Sequence, residues 1–333
     1  MTAPTLDFQD SVFTATRAVN LAQDNIADRQ EMAKNGWADS VRTGLPHIDA
    51  YLNPFLAGDL VTVLGRPQNG KSFMLQYIFN NAVKGILESG KTNKCCIFVT
   101  WEVSVERAVM YWLASNAGIS VTDMIRGGLS DEQMEKFGVA CVKVGQLPIF
   151  IIGHSTKRKQ NRRVRPNLTT VNVQGAIDYI VNEYRTEEGE ILDPQFISLD
   201  YLQRIPKPEK TQRNEHMLSC VDWANKLAFF CGCPVGLAVQ AGRAVDERRI
   251  QMPTMSDGQW TSNVEQSSDF SLGVWMPKTS RQVVVPAFAN LTEDISVHDR
   301  LMLVGVLKQK DGPAGDVFKL HVEPEKMVAY PIS

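Results

Sequence analysis

Short apolar runs alternate with longer amphipathic stretches along most of this chain. The apolar runs are residues 59–64, 94–101, 147–152, 195–200 and 234–239. Because they are short, continuous and often β-branched, they predict strands that are buried on both faces. Apolar residues recur at helical spacing at about 72–79, 105–117, 130–144, 173–184 and 214–230. This alternation predicts an α/β fold, a mainly parallel sheet with helices on both faces.

The last part of the chain has a different pattern. Further strands are predicted near 270–275, 301–307 and 317–322, and no helical stretch separates them. Strands that follow one another without a crossover helix predict an antiparallel edge of the sheet. Residues 241–263 are polar and contain glycine, which predicts a loop. We therefore predict a single domain over residues 41–333.

Residues 1–40 are predicted to form an arm ahead of this domain. Its apolar side chains follow one narrow helical stripe: Val12, Ala15, Val19, Ala22 and Ile26. A stripe of this kind predicts a helix that buries one side. It has few partners nearby in the sequence, so the helix packs either on its own domain or on a neighbouring subunit.

The strongest chemical motif lies between the first strand and the helix that follows it. Eight residues match the pattern Gly-x4-Gly-Lys-Ser of a phosphate-binding loop: Gly65, Arg66, Pro67, Gln68, Asn69, Gly70, Lys71 and Ser72. Glycines let backbone N–H groups turn toward a phosphate, and the helix N-terminus adds a favourable dipole. We expect Lys71 to contact the β- and γ-phosphates of ATP, and Ser72 to place its hydroxyl on Mg²⁺.

Polar side chains end three of the predicted strands, at Glu102, Asp200 and Gln240. Open α/β sheets bind their ligands at the carboxyl ends of strands. Asp200 therefore suits holding Mg²⁺ and its waters, and Glu102 suits positioning and deprotonating the attacking water. Gln240 is placed to relay the state of the nucleotide to the loop that follows it.

Composition excludes several other classes of protein. The 333 residues are 44% hydrophobic and 22% charged, with a net charge of −2, so neither global disorder nor nucleic-acid binding over the whole surface is expected. We find no signal peptide and no apolar run of about 18 residues, so no membrane contact is expected. Four of the cysteines enter or flank apolar runs: Cys95, Cys96, Cys231 and Cys233. They lack metal-site spacing and are expected to be buried free thiols in a reducing, cytoplasmic setting.

Several segments follow one another in an order typical of one family. They are TGLPHID at 43–49, VTWEVS at 99–104, MIRGGLSDE at 124–132, ISLDYLQ at 197–203, VQAGR at 239–243, MSD at 255–257, VEQSSD at 264–269 and LKQKDGPAG at 307–315. In this order, from about residue 40 to 325, they resemble the ATPase domain of DnaB-type replicative helicases. The resemblance implies a RecA-like fold, ATP hydrolysis with Mg²⁺ and assembly into a hexameric ring.

The resemblance also implies that an adjacent subunit completes the nucleotide site. Lys308 and Lys310 correspond to residues that reach the neighbour's ATP, and Lys310 stands at the family's arginine-finger position. Lysine brings the charge but not the planar fork of guanidinium. Residues 11–34 resemble the family's linker helix, which docks on the neighbouring subunit. No counterpart of the family's primase-engaging N-terminal domain precedes them, so no primase contact is expected and the loader or replication partner is unknown.

Residues 243–263 correspond to the family's channel loops, which grip the backbone of single-stranded DNA. The candidate nucleic-acid contacts in this segment are Arg243, Arg248, Arg249, Gln259 and Trp260. The last two stand where the family has an Arg-Glu pair, so one cation is missing from the phosphate contacts. Trp260 either stacks on a base or packs under the loop.

The run at 157–165 contains six basic residues and has no counterpart in the family. It is either a solvated loop or a second nucleic-acid or partner contact.

These observations predict an ATP-dependent, ring-forming helicase motor that translocates on single-stranded DNA. The alternative is a RecA-like, DNA-stimulated ATPase, or an assembly or regulatory protein, that does not unwind. Lysine at the finger position and the missing cation in the channel loop favour this alternative. A metabolic P-loop kinase is a third class, and the motif at 307–315 argues against it.

Overall fold

The computed structural model describes residues 13–34, 40–156, 166–186, 188–258 and 262–332. The strands in these ranges are β1 Leu60–Gly65, β2 Lys94–Thr100, β3 Ile149–Ile152, β4 Asp193–Asp200, β5 Val235–Gln240, β6 Phe270–Trp275, β7 Val284–Val285, β8 Ile295–Ser296, β9 Leu301–Lys308, β10 Val317–Glu323 and β11 Val328–Pro331. The α-helices are α1 Ala15–Lys34, α2 Pro46–Tyr51, α3 Lys71–Ser89, α4 Val105–Ala117, α5 Val121–Arg126, α6 Asp131–Gly145, α7 Thr170–Glu183, α8 Arg213–Cys231 and α9 Ser262–Ser267.

Nine of the strands in the described ranges form one sheet, in the order β11-β10-β9-β6-β1-β5-β4-β2-β3. From β6 through β1, β5, β4 and β2 to β3, all neighbours are parallel. At the other edge, β9, β10 and β11 pair antiparallel. The predicted α/β fold, with its parallel centre and antiparallel edge, is confirmed. The short helices α2, α5 and α9 and the strands β7, β8 and β11 were not predicted.

Two hydrophobic clusters cover the two faces of the sheet. On one face, Val61 and Val63 of β1 join a cluster with α3 and α4 that includes the buried Phe79. On the other face, Leu60 and Leu64 of the same strand join a cluster with α7 and α8. Successive side chains of a strand point to opposite faces, so a strand covered on both sides has no polar face. This is why β1 is a continuous apolar run.

The helix predicted at about 130–144 is α6, and Ser130 caps its N-terminus. The Ser130 hydroxyl accepts a hydrogen bond from the Gln133 N–H at 3.3 Å, and the Gln133 Oε1 accepts one from the Ser130 N–H at 2.9 Å. Such a reciprocal capping box satisfies two of the free N–H groups at a helix start. The segment 241–263, predicted as a loop, contains the 3₁₀ turns Arg243–Glu247 and Met255–Asp257.

The helix α1 has no buried residue. Its apolar side chains Val19, Leu21 and Ile26 are between 50% and 58% exposed. A helix of 20 residues gains most of its stability by packing an apolar face against a partner. Among the described residues, none covers the apolar side chains of α1.

The structure bears on two predictions from composition, one on the cysteines and one on membrane-spanning helices. The thiols of Cys95, Cys96 and Cys233 are free and buried as predicted, whereas the Cys231 thiol is free and only half-buried. No helix in the described part of the chain has both the length and the hydropathy needed to cross a bilayer.

Candidate nucleotide-binding site

The candidate phosphate loop connects the end of β1 to the start of α3. Gly70 precedes the first residue of α3 and has a φ of +85°, in the left-handed region that glycine adopts without strain. A Cβ at this position would collide with the Met302 side chain from β9. The positive φ is the reason that the loop needs glycine here, and the end of the Met302 side chain occupies the space that a Cβ would fill.

The side chain of Asn69 fastens the loop to the end of β6. Its Oδ1 accepts hydrogen bonds from the Met276 N–H at 2.8 Å and from the Thr279 hydroxyl at 3.0 Å. Asn69 is only 5% exposed, so these bonds hold the loop in one position. Met276 and Thr279 were not predicted as part of the site, because no motif links them to a phosphate loop more than 200 residues earlier.

Lys71 begins α3, and its ammonium group lies beneath the loop. The Nζ donates a hydrogen bond to the Arg66 carbonyl at 3.0 Å, and the residue is 8% exposed. Burial lowers the pKa of Lys71 to about 8, against the attraction of the Asp200 and Glu102 carboxylates. A phosphate bound in the loop would add negative charge beside the buried ammonium group and would favour its charged form.

Ser72 and Asp200 meet at the carboxyl end of β4. The Ser72 hydroxyl donates a hydrogen bond to the Asp200 Oδ1 at 2.9 Å, and Asp200 is 4% exposed. Burial raises the pKa of Asp200 to about 6; the Glu102 carboxylate adds to this rise, and the hydrogen bond from Ser72 opposes it. Shifts of this kind, in a carboxyl and an ammonium group that share one site, are typical of functional centres.

Glu102 lies at the same edge of the sheet. In the ladder between β2 and β4, Thr100 is paired with Asp200, and the Trp101 N–H donates a hydrogen bond to the Asp200 carbonyl at 3.0 Å. Glu102 follows directly and is exposed, and its charge affects the pKa values of both Lys71 and Asp200. The predicted base and the predicted metal ligand are therefore neighbours across two adjacent strands.

Gln240 ends β5, next to the phosphate loop. It is paired with Gly65, and its N–H donates a hydrogen bond to the Gln203 Oε1 at 3.0 Å. The Gln203 Nε2 donates in turn to the Gln240 carbonyl at 3.4 Å. Gln203 lies just beyond Asp200, so this side chain joins the ends of β4 and β5.

Lys308 and Lys310 lie away from the phosphate loop of their own chain. The Lys310 Nζ is 3.5 Å from the Asp59 Oδ1 and 3.4 Å from the Asp269 Oδ1, and both carboxylates directly precede a strand, β1 and β6. Partial burial would lower the pKa of Lys310, but these carboxylates raise it. The Lys308 Nζ donates to the Glu265 carbonyl at 2.7 Å. The length of β1, about 20 Å, separates Asp59 from the loop.

The predicted DNA contacts differ in their surroundings. The Arg248 guanidinium donates to both carboxylate oxygens of Asp257, at 2.7 and 2.5 Å, and therefore braces its own segment. Arg243 and Arg249 are exposed, and among the described residues no hydrogen bond or ion pair is found for either guanidinium. Gln259, Trp260 and the basic run 157–165 lie outside the described residues.

A phosphate loop after the first strand, with carboxylates at the ends of β2 and β4, defines a P-loop nucleotide-binding protein of the RecA-like class. Within this class, the chain belongs to the family described as DnaB-like helicase C-terminal domain, whose sequence model matches residues 40–327.

Similar proteins include replicative helicases from several bacteria. The chain is 23% identical over 314 residues to the replicative DNA helicase DnaB of Rickettsia bellii, covering 90% of this chain and 59% of that protein. It is 23% identical over 294 residues to the enzyme of the same name from Geobacillus stearothermophilus, covering 87% and 57%. A probable plasmid replicative DNA helicase of Chlamydia psittaci is 25% identical over 246 residues, covering 74% and 48%. The chain thus spans about half to three-fifths of these relatives.

Two solved structures have the same fold. One, described as an ATPase domain, superposes with a TM-score of 0.71 at 14% identity, covering 95% of this chain and 99% of that one. The other is a DnaB-like replicative helicase, described together with its interactions with primase. It superposes with a TM-score of 0.67 at 15% identity, covering 88% and 63%.

Proposed function

We propose that this protein is an ATP-driven, ring-forming motor that translocates on single-stranded DNA and separates duplex strands. The observation that carries the proposal is the cluster of Lys71, Ser72, Asp200 and Glu102 at one edge of the sheet. The family to which the chain belongs supports it and favours the motor over the alternative that does not unwind.

The residues of the cluster fit ATP and Mg²⁺. Gly70 adopts a φ of +85° directly before α3, and the backbone N–H groups at the start of this helix can bind a phosphate. The hydroxyl of Ser72 and the carboxylate of Asp200 are the hard oxygen donors that Mg²⁺ prefers. Bound by these residues, Mg²⁺ would neutralise negative charge on the phosphates of ATP.

In the proposed mechanism, side chains of this chain have separate roles in hydrolysis. Lys71 turns its ammonium group from the Arg66 carbonyl to the phosphates, and the added negative charge restores its proton affinity. Glu102, exposed beside Asp200, orients a water molecule for attack on the γ-phosphorus and accepts its proton. Gln240, held through Gln203, responds to the loss of the γ-phosphate.

A neighbouring subunit is needed to complete the site. Lys308 and Lys310 lie near the amino ends of β1 and β6, about one strand length from the loop of their own chain. In the proposed ring, this end of one subunit lies against the carboxyl ends of the strands in the next. The two ammonium groups can then face the neighbour's γ-phosphate and stabilise the charge that develops on it.

The helix α1 supplies a second contact between subunits. An apolar groove of about 590 Å³ lies between α4, α5 and α6, with Val109, Leu113, Met124, Met134 and Phe137 among the side chains that line it. Met134 is 51% exposed, so the groove presents apolar surface to solvent. The apolar stripe of α1 has no cover in its own described domain, and we propose that it lies in this groove on the adjacent subunit.

Replacing Ile26 with aspartate is expected to reduce the mass of the assembly in solution to that of smaller species, because the substitution buries an unpaired charge in the groove. The matched control is Asn20→Asp, which adds the same charge on another face of α1. Light scattering with an ATP analogue and oligo-dT measures the mass. Equal masses for the two variants would rule out this docking.

Two cations are available for DNA. Arg243 and Arg249 lie on the segment after Gln240, are exposed, and can each neutralise a backbone phosphate. Arg248 braces the same segment through Asp257. Gln259 and Trp260 stay candidate contacts in the same stretch.

Unwinding of a forked duplex by the purified protein tests the proposed function. We expect ATP-dependent strand separation by the parent chain and by Lys84→Ala, which removes a surface ammonium group from α3, but not by Lys71→Ala. Unwinding by Lys71→Ala at the parent rate would reject the mechanism. Salt-sensitive, DNA-stimulated hydrolysis without strand separation would support the alternative ATPase.

A further inference from the structure

The Arg66 side chain connects the phosphate loop to the segment that carries the candidate DNA contacts. Its Nε lies 2.8 Å from the Asp246 Oδ1, and its Nη2 lies 2.6 Å from the Oδ2 of the same carboxylate. Its Nη1 donates to the Ala241 carbonyl at 2.9 Å. Both oxygens of one carboxylate are thus held by one guanidinium, a geometry that fixes orientation as well as distance.

Burial makes this ion pair different from the surface pairs of the chain. The Arg66 side chain is 13% exposed, whereas the lysine and the aspartate of the Lys226–Asp222 pair on α8 are 75% and 59% exposed. Exposed pairs contribute little because water screens them, and a guanidinium with three hydrogen-bonding nitrogens in use is much less free to move. The Asp246 carboxylate is 48% exposed and lies outside the phosphate loop, so it can be replaced without changing a residue of the loop itself.

On the nucleotide side, the same residue belongs to the phosphate cradle. The Arg66 carbonyl accepts the hydrogen bond from the Lys71 Nζ at 3.0 Å. Arg66 also directly follows Gly65, whose carbonyl accepts from the Ala241 N–H at 3.0 Å. A change in the position of the Lys71 ammonium group therefore affects the backbone of Arg66, and the Arg66 side chain binds Asp246.

On the DNA side, Asp246 belongs to the 3₁₀ turn Arg243–Glu247. This turn begins with Arg243, and Arg249 follows two residues after it ends. The Asp246 carbonyl also accepts from the Gln251 Nε2 at 2.9 Å, which ties the turn to the residues beyond Arg249. The carboxylate that Arg66 holds is thus part of the same short, hydrogen-bonded unit as both exposed arginines.

We propose that Asp246 is a positioning residue that, through Arg66, couples the occupancy of the phosphate loop to the affinity of the Arg243–Arg249 segment for single-stranded DNA. The proposal rests on the proposed function, because it assigns this segment to DNA. Beyond that function, it names the Arg66–Asp246 ion pair as the contact through which bound nucleotide and bound DNA affect each other. Coupling between two sites is reciprocal, so the same link makes DNA alter nucleotide affinity.

The experiment measures the affinity of fluorescent oligo-dT in the presence of ADP and of a non-hydrolysable ATP analogue. In the parent chain we expect the two affinities to differ by about 5-fold or more, a typical size for coupling between sites. In Asp246→Asn the ratio should fall close to one, while the affinity for fluorescent ATP in the absence of DNA stays within about two-fold. Asp246→Glu, which keeps the carboxylate, should restore most of the ratio.

The matched control is Glu247→Gln, which removes the same charge from the same turn. It separates the loss of the link from a general gain of DNA affinity when a negative charge is removed. An Asp246→Asn chain that keeps the parent ratio would overturn the proposal. So would one that loses ATP binding or melts well below the parent, because the pair would then only stabilise the fold.

Failure of the proposed function gives a different result. If the parent chain does not bind oligo-dT with either nucleotide, the Arg243–Arg249 segment is not a DNA contact, and the proposed coupling is rejected as well. A parent chain that shows the nucleotide effect, together with an unchanged Asp246→Asn chain, would reject the coupling alone.

Discussion

Replacing Glu102 with glutamine is expected to lower the rate of ATP hydrolysis by about 10²–10⁴-fold, the usual contribution of a general base. The glutamine keeps the size and a hydrogen-bonding oxygen of the side chain but cannot accept the proton of the attacking water. Affinity for Mg-ATP should change by no more than about two-fold, because the proposed metal ligands are Ser72 and Asp200 and not Glu102. Steady-state hydrolysis and binding of fluorescent ATP measure the two quantities separately.

The control for this prediction is Glu88→Gln. Glu88 is an exposed carboxylate on α3 that pairs with Lys84, and its replacement should leave both hydrolysis and binding at the parent values. Hydrolysis by Glu102→Gln within about five-fold of the parent would contradict the role of a general base. A parallel loss of binding would instead assign Glu102 to holding the metal.

Mixing Lys71→Ala chains with Lys310→Ala chains is expected to restore hydrolysis that neither chain has alone. An arginine finger is worth about 10³–10⁵ in rate in phosphoryl-transfer enzymes, and Lys310 stands at that position, so Lys310→Ala should be nearly inactive by itself. Lys71→Ala should be nearly inactive because it lacks the ammonium group that faces the phosphates. In the mixture, a Lys310→Ala chain supplies an intact phosphate loop, and its Lys71→Ala neighbour supplies an intact Lys310. In a random equimolar ring, about a quarter of the interfaces have this arrangement.

The mixture also separates catalysis from stability. Lys310 faces Asp59 and Asp269 in its own chain, so its removal leaves the nearly buried Asp59 carboxylate without its cation. A chain that failed to fold for this reason would not be rescued by a partner. Lys84→Ala in place of Lys310→Ala controls for dilution, because it should be active alone. Full activity of Lys310→Ala alone, or no recovery in any mixture, would contradict a role in trans.

The parts of the site that sequence analysis found are local or lie at strand ends. The phosphate loop is eight consecutive residues, and its conformation follows from their order because Gly70 must adopt a positive φ before α3 begins. Asp200 and Glu102 were found because strands of a parallel sheet end at one edge, so a polar residue after an apolar run is directed toward the ligand. The phosphate loop and the two strand-end carboxylates can therefore be found without knowing the order of the strands in the sheet.

The contacts that fasten the site were not predicted. Arg66 and Asp246 are 180 residues apart in the chain, and Asn69 and Met276 are 207 apart. They meet because β1 lies between β5 and β6 in the sheet, an order that the pattern of apolar runs does not reveal. Arg248 was predicted as a nucleic-acid contact, and its guanidinium pairs with the carboxylate of Asp257, nine residues further along the same segment.

The sequence alone determined that a buried parallel sheet carries a phosphate loop, because burial on both faces leaves apolar runs and a phosphate cradle requires glycine at set positions. Only the tertiary structure decided which side chains that are distant in the sequence come into contact. It placed Asp246 against Arg66, and it put Lys310 about a strand length from the loop of its own chain. Such choices depend on strand order and on long-range packing, which act between residues that no local pattern connects.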